Sequence, residues 1–371
     1  YGNIFSSNLL GRRVIFSVDP EFNKFVMQNE GRLFQVSGIF KSFTELLGKY
    51  GLLTVHGDLQ RKIHGVAVNF LNYEKLSSEL MDDIQNLLIN AMSNWDGKKL
   101  KLQEECQQII LNVMAKQLLD LSPSKETEEI GRQFLFFSAA VVCLPVKIPG
   151  SKFAKGIKAR KYLINKIYKI MEERRKHPQV VHNDLLTKFL TEEPVLSDEI
   201  VADTLLFLLF AGHETSSRAM AISIKFLTEC PQALKQLQDE HDSILKSNGD
   251  KKLSWDDYKS MKFTECVVNE VLRLGNLAPF LYRDTKQDVS IKGYHIPKAS
   301  TIIPFVCGVH MDEKNYVRAL EFNPWRWEGG RNEVSNNPAF TPFGGGGRMC
   351  PGALLARLEI SLFLHHFVTK F

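Results

Sequence analysis

The sequence predicts a mainly α-helical fold with a minor β-sheet region. Long stretches repeat apolar residues at helical spacing, over roughly 74–95, 103–120, 128–143 and 157–176. A continuous helical pattern then runs from Ser197 to Glu229, just before Cys230-Pro231. Strand-like runs are short and few, at Val14-Ile15-Phe16, Val289-Ser290-Ile291 and Thr301-Ile302-Ile303.

Along the chain, residues 1–34 read as a short strand and then a helix from about Pro20. Polar linkers with Pro or Gly, at Ser122-Pro123 and Pro149-Gly150, separate the amphipathic stretches that follow. Ser197 suits an N-cap, with Asp198 and Glu199 favourable in the first turn. The helix it opens would span about 45 Å at ~1.5 Å per residue. Its middle, Leu205 to Ala211, is apolar on every side and is expected to be buried. A further helix carries Glu270 and Arg273, which share a face at i,i+3.

At 371 residues the chain allows two lobes or one large core. Its 44% hydrophobic and 24% charged content is ordinary for a globular protein. A net charge of +5 permits an acidic partner or an anionic membrane surface and demands neither. No clustered basic-aromatic pattern points to nucleic acid. Six cysteines lie without CxxC spacing, which reads as reduced thiols and not as a zinc site.

Cys350 is the most informative residue. It ends the string Phe343-Gly344-Gly345-Gly346-Gly347-Arg348-Met349-Cys350 and precedes Pro351-Gly352 and an amphipathic run. Glycines allow positive φ and close approach to a flat ligand. Backbone N–H groups and a helix N-terminus stabilise a negative sulfur. Arg348 suits a carboxylate such as a haem propionate. The residues therefore suit a thiolate ligand to haem iron, against the plainer reading of an ordinary cysteine after a glycine turn.

The spacing Phe343, Gly346, Arg348, Cys350, Gly352 resembles the haem-binding signature of the cytochrome P450 family. Ala211-Gly212-His213-Glu214-Thr215-Ser216, Glu270-Val271-Leu272-Arg273 and Phe322-Asn323-Pro324-Trp325-Arg326-Trp327 resemble three further motifs of that family, in the same order. Gln28 to Phe34 is similar to a segment of the plant terpenoid and sterol clan. Val55 to Lys62, Ala115 to Thr127 and His177 to Leu186 resemble the conifer diterpene oxidases of resin-acid biosynthesis.

The resemblance implies haem b held between the long central helix and the cysteine loop, with Cys350 as iron ligand. It implies one catalytic domain over residues 1–371, trimmed at both ends, with an N-terminal membrane anchor upstream of Tyr1. It further implies an NADPH-cytochrome P450 reductase as electron donor, the cytosolic face of the endoplasmic reticulum membrane as location, and no nucleic acid partner.

By the same resemblance, Glu214 and Thr215 deliver protons to bound dioxygen, and Ala211 and Gly212 lie at the cofactor; Gly212 removes a side chain and leaves room for a flat cofactor or for O₂. An acid and a hydroxyl in a buried helix are costly without a use, although a Thr can be satisfied by its own helix. Glu270, Arg273 and Arg326 are expected to be structural. Phe343, Gly346 and Gly352 would contact the haem, and Arg348, Arg283 and Arg61 are the propionate candidates. Where many members have Trp and then Arg, this chain has Gln60 and His64, and His64 could donate to a propionate.

Substrate contacts would come from Val36 to Leu47, Leu205 to Gly212 and Leu277 to Leu281. Phe40, Phe43, Phe207, Phe210 and Phe280 would line an apolar cavity. The activity implied is oxidation of a hydrophobic terpenoid, an abietane-type diterpene taken through alcohol and aldehyde to a resin acid. The alternatives are a brassinosteroid-type sterol hydroxylase and a haem-thiolate isomerase that uses no O₂. The substrate, the carbon attacked and the number of oxidation steps are not legible in the residues.

Overall fold

The computed structural model describes residues 2–9, 11–37, 41–141, 143–192, 195–249, 251–329 and 337–371. The chain divides into two compact units, residues 1–39 with 219–371 and residues 40–218. The division falls inside the long helix Asp198–Glu229.

The first unit holds the sheets. Strand β1 (Ile4–Leu9) and strand β2 (Arg12–Ser17) form an antiparallel hairpin, with Gly11 at φ 78° where the chain reverses. Strand β3 (Phe34–Val36) pairs with β4 (Arg283–Thr285), and β4 in turn with β7 (Thr301–Pro304), which lies parallel to β2. The resulting order is β1-β2-β7-β4-β3. Strands β5 (Val289–Ile291) and β6 (Tyr294–Ile296) make a separate hairpin through Lys292 and Gly293, both at positive φ.

The expected strands at 14–16, 289–291 and 301–303 are present. Strand β1 was not expected. Its Ser6-Ser7-Asn8 face solvent at the sheet edge and carry no apolar alternation.

Asp19 accepts from Phe22 N at 2.8 Å and starts the helix Pro20–Gln28, with Pro20 in the first turn, where a missing N–H costs nothing. Its buried face packs Phe22 and Val26 with Ile4, Phe34, Val289, Ile296 and Ile302. Each such side chain contributes about 1.5–3 kcal/mol on burial.

The same unit contains the expected charge network. Glu270 and Arg273, on the helix Lys262–Gly275, are both fully buried. Arg273 Nε and Nη2 donate to the two carboxylate oxygens at 2.9 and 2.7 Å. Arg326 Nε donates to Glu270 Oε1 at 3.1 Å, as the sequence motif implied. Two further donors were not anticipated, Trp327 Nε1 at 2.9 Å and the Asn323 backbone N–H at 3.0 Å. Arg273 Nη1 also donates to the carbonyls of His310 and Ala319, each at 2.6 Å.

The second unit is helical. Helices Lys125–Val141 and Lys152–Lys176 pack so closely that a Cβ at Gly156 would lie 2.1 Å from the Ala140 Cβ. The amphipathic run expected over 74–95 resolves into a π-helical turn Leu76–Leu80 followed by the helix Met81–Met92. No helix among the described residues is long and apolar enough to cross a membrane.

Glu270→Ala would strand the Arg273 guanidinium in the core and is expected to cost about 3–5 kcal/mol, since an unpaired buried charge is far worse than a replaced pair. Urea or thermal unfolding of the holoprotein checks this. Lys262→Ala, an exposed substitution on the same helix, serves as the control that should change little.

Candidate functional site

Around Cys350 the backbone is set by glycine. Gly344 and Gly346 adopt φ of 70° and 66°, and Gly346–Arg348 forms a 3₁₀ turn. Gly346 is also closely approached, because a Cβ there would lie 2.1 Å from the Met27 carbonyl oxygen. The turn therefore rests against the end of the helix Pro20–Gln28 with no room for a side chain. The Cys350 N–H donates to the Phe343 carbonyl at 3.0 Å and closes the loop before the helix Ala353–Val368. Phe343 lies under the Arg357 guanidinium, 5.5 Å from centroid to Cζ.

Cys350 is exposed by area, yet protein crowds its sulfur enough that lost hydration raises its thiol above the ordinary value; the Gly352 N–H opposes this. Such a thiol becomes a thiolate when a metal cation takes it as ligand.

Two of the propionate candidates meet here. Arg348 Nε donates to Glu30 Oε1 at 2.7 Å, and Arg283 Nε lies 2.7 Å from Glu30 Oε2. All three side chains are less than a tenth exposed. The Arg283 contact is a close ion pair and not an aligned hydrogen bond, so Arg283 Nε and Glu30 Oε2 both remain unsatisfied. Burial lowers both guanidinium pKa values and Glu30 opposes it, while Arg348 adds to the lowering at Arg283. Two buried cations thus share one carboxylate, and the cluster keeps a net positive charge suited to a further anion.

The sequence reading missed Glu30. It stands 318 positions before Arg348; the β3–β4 pairing of Val36 with Arg283 and the seating of Gly346 on the Met27 carbonyl bring the three together.

In the second unit, Glu214 and Thr215 sit mid-helix as expected. Thr215 Oγ1 donates to the Ala211 carbonyl at 2.8 Å, the self-satisfied arrangement weighed for a helical Thr. Glu214 accepts from the Ser138 hydroxyl and from Arg218 Nη2, the latter at 2.9 Å. His213 Nδ1 lies 3.5 Å from Glu214 Oε1 without a proper hydrogen bond, and its ring is fully buried edge-on to Phe134. Burial opposes the Glu214 charge, but His213, Ser138 and Arg218 outweigh it and bring the carboxyl down to about 2. Ser138 and Arg218 act in this direction even if the long His213 contact carries little. Arg218, at i+4 from Glu214, was legible in the sequence; Ser138, from another helix, was not.

Gly212 has a close neighbour of its own. The space opened by Gly212 holds Met114, whose Cε would lie 2.5 Å from an added Cβ. The helix Leu102–Leu119 packs against Gly212 there and accounts for the small residue on that side.

Of the remaining candidates, Arg61 is exposed and paired with Asp58, while His64 is half-buried on the same helix Gly57–Phe70. Phe207 is buried and Phe210 packs edge-on to Phe137, with centroids 5.9 Å apart. Phe43 is half-buried. Phe280 is 41% exposed beside Tyr282 and Phe305. Phe40 lies outside the described residues.

The depressed Glu214 pKa has a stability consequence. Its folded value lies below its unfolded value, so its contribution is fully present above about pH 4.5 and is lost as pH falls toward 2. Taking the wild type from pH 5 to pH 3 should therefore lower its thermal midpoint more than that of Glu214→Gln. Equal slopes in a pH series of melting curves would show that Glu214 is not held this way.

Comparison with known proteins closes the question of family. Residues 1–371 match the profile described as cytochrome P450. The whole chain is 58% identical to "Cytochrome P450 720B2" of Pinus taeda, covering 77% of it. It is likewise 58% identical to the abietadienol/abietadienal oxidase of Pinus taeda, covering 76% of that protein. A cholesterol 16,22-dihydroxylase of Trigonella foenum-graecum is 39% identical over the whole chain and 79% of its own length. Among solved structures, a retinoic acid-bound cyanobacterial CYP120A1 superimposes with a TM-score of 0.89 at 26% identity, over 100% of this chain and 84% of that one. With the glycine-borne cysteine, the Glu270 network and these matches in hand, the chain belongs to the cytochrome P450 family and is a haem b-dependent monooxygenase.

Proposed function

We propose that the enzyme oxidises an abietane-type diterpenoid, at the level of an alcohol or aldehyde on the way to an acid. The observation that carries this is the 58% identity over the full chain with the Pinus taeda abietadienol/abietadienal oxidase, against 38–40% for cholesterol hydroxylases of Trigonella foenum-graecum and Paris polyphylla. One oxygen atom of O₂ enters the substrate and the other leaves as water, with two electrons supplied from NADPH through a flavoprotein reductase.

The residues present fit haem b. Cys350 is an exposed residue after a turn that leaves no room for a side chain at Gly346, and the Glu30–Arg283–Arg348 cluster offers net positive charge and an Arg283 N–H without an aligned partner for a propionate. When bound, thiolate-ligated haem supplies O₂ activation. Arg283 and Arg348 would hold the propionates, with Phe343, Gly346 and Gly352 shaping the cysteine turn. The exposed Arg61–Asp58 pair gives that role no support.

Thr215 and Glu214 would handle protons. Because Glu214 is ionised well below neutral pH, it works as a relay that accepts a proton and passes it on, not as a stored acid. Phe43, Phe207 and Phe210 would contribute to the apolar site. The family match runs over residues 1–371, which supports one catalytic domain. An apolar substrate of this class partitions into membranes, and we place the enzyme at the cytosolic face of the endoplasmic reticulum membrane.

The test is expression of the full-length protein with a reductase and mass-spectrometric assay of a panel of diterpene olefins, alcohols, aldehydes and sterols. Turnover of the abietane alcohol or aldehyde is expected, and turnover of sterols alone would sink the reading. Cys350→Ser should abolish both activity and the thiolate-type CO difference band. A retained band would overturn the ligand assignment.

A further inference from the structure

Within the second unit, one carboxylate organises a stretch of chain well away from Glu214. Asp203, on the long helix, has a side chain only 5% exposed. It accepts from Arg160 Nη2, and its Oδ2 accepts from the Tyr50 backbone N–H at 3.2 Å. Arg160 reaches past it, and its Nε donates to the Leu46 carbonyl at 2.9 Å. The next helix residue, Thr204, donates its hydroxyl to the Tyr50 carbonyl at 3.1 Å. Asp203, Arg160 and Thr204 thus grip the backbone of residues 46–50 at three points.

The gripped segment is built for this contact. Gly48 has φ +91°, and a Cβ there would lie 2.4 Å from the Asp203 carboxyl carbon. Any side chain at this position would sit on the carboxylate itself. Thr54 Oγ1 draws the turn closed against the carbonyls of Gly48, Lys49 and Gly51, at 3.1, 2.9 and 2.9 Å. A Cβ at Gly51 would lie 3.3 Å from the Phe207 ring, so the turn also rests on the helix one turn further along. Leu46 and Leu47 are buried on the same stretch. A buried charge with this many directed partners has one low-energy arrangement, which gives the segment a defined register along the helix.

Asp203, Phe207, Phe210 and Glu214 stand at i, i+4, i+7 and i+11 and therefore share one helix face. The grip lies about 16 Å along the axis from Glu214, at ~1.5 Å per residue. We propose that Asp203 and Arg160 are a positioning pair that fixes residues 46–54 along this face. They thereby set how a hydrophobic substrate sits relative to Glu214 and Thr215, and so which carbon is oxidised. The proposal rests on the diterpenoid oxidase reading only for the substrate used. Neither residue touches the reacting atoms; they act through the segment they hold.

The test uses the full-length holoenzyme with reductase and whichever hydrophobic substrate the wild type turns over. If that substrate is a sterol, the diterpenoid reading falls while this test still stands. Asp203→Asn keeps the shape and loses the charge, Gly48→Ala pushes a methyl onto the carboxylate, and Thr204→Val removes one grip with little change in volume. The readouts are the substrate dissociation constant from the substrate-induced shift of the haem absorption, the separation of KM from kcat, and the ratio of oxidised products. The thiolate-type CO band reports whether the haem site is intact.

Asp203→Asn and Gly48→Ala should raise the dissociation constant and KM by about tenfold to a hundredfold, the scale of a misplaced substrate. The product ratio should change, while kcat falls much less and the CO band is kept. Thr204→Val should do the same more weakly. Arg160→Lys should restore part of what Arg160→Gln loses, and Asp203→Asn with Arg160→Gln should be no worse than the worse single variant. Unchanged binding and product ratio with an intact CO band would overturn the proposal. So would parallel loss of kcat and the CO band in all three variants, since the pair would then merely hold the fold.

Discussion

The first unit is organised around the buried carboxylate of Glu270. Glu270 has no contact with solvent, and burying it is tolerable only because Arg273, Arg326, Trp327 and the Asn323 amide all donate to it. Arg273, itself fully buried, spends its remaining donors on the carbonyls of His310, Ala319 and Glu321. Helix 262–275 is thereby tied to the 310–327 stretch by directed bonds and not only by apolar packing. A network of this kind adds little if exchanged whole for hydrophobic residues, but it permits only one arrangement. A turn that must present a sulfur in a set place benefits from a rigid neighbourhood more than from added stability.

Three carboxylates illustrate how environment assigns different work to one functional group. Glu270 is saturated and structural. Glu30 is shared between Arg283 and Arg348 and leaves an Arg283 N–H unspent, so its cluster is poised toward another anion. Glu214 is half-withdrawn from solvent yet kept ionised by Ser138 and Arg218. The number and aim of the donors differ at each of the three, and the work of each carboxylate differs with them.

Glycines divide in the same way. Gly346 is needed both for its positive φ and for the approach of the Met27 carbonyl, and Gly48 for its φ and the Asp203 carboxylate. Gly212 and Gly156 have ordinary helical backbones and are small because another helix presses on them. A glycine in the sequence announces that a side chain is excluded but not what excludes it. At Gly212 the excluding neighbour is Met114, which the local sequence does not name.

The helical class, the long buried helix, the Cys350 turn and the Glu270–Arg273–Arg326 set were determined by the sequence itself. They rest on local periodicity, on capping chemistry and on motifs whose members lie close along the chain or recur in fixed order. Strand β1 was illegible because an edge strand needs no apolar alternation. Glu30 beside Arg348, Ser138 beside Glu214, Met114 against Gly212 and Asp203 beneath Gly48 were decided only by tertiary structure. Each is a contact between residues far apart in sequence, and nothing in either partner's local pattern names the other. Chain folding alone brings such pairs within hydrogen-bond range, where the low dielectric gives their charges and shapes their consequence.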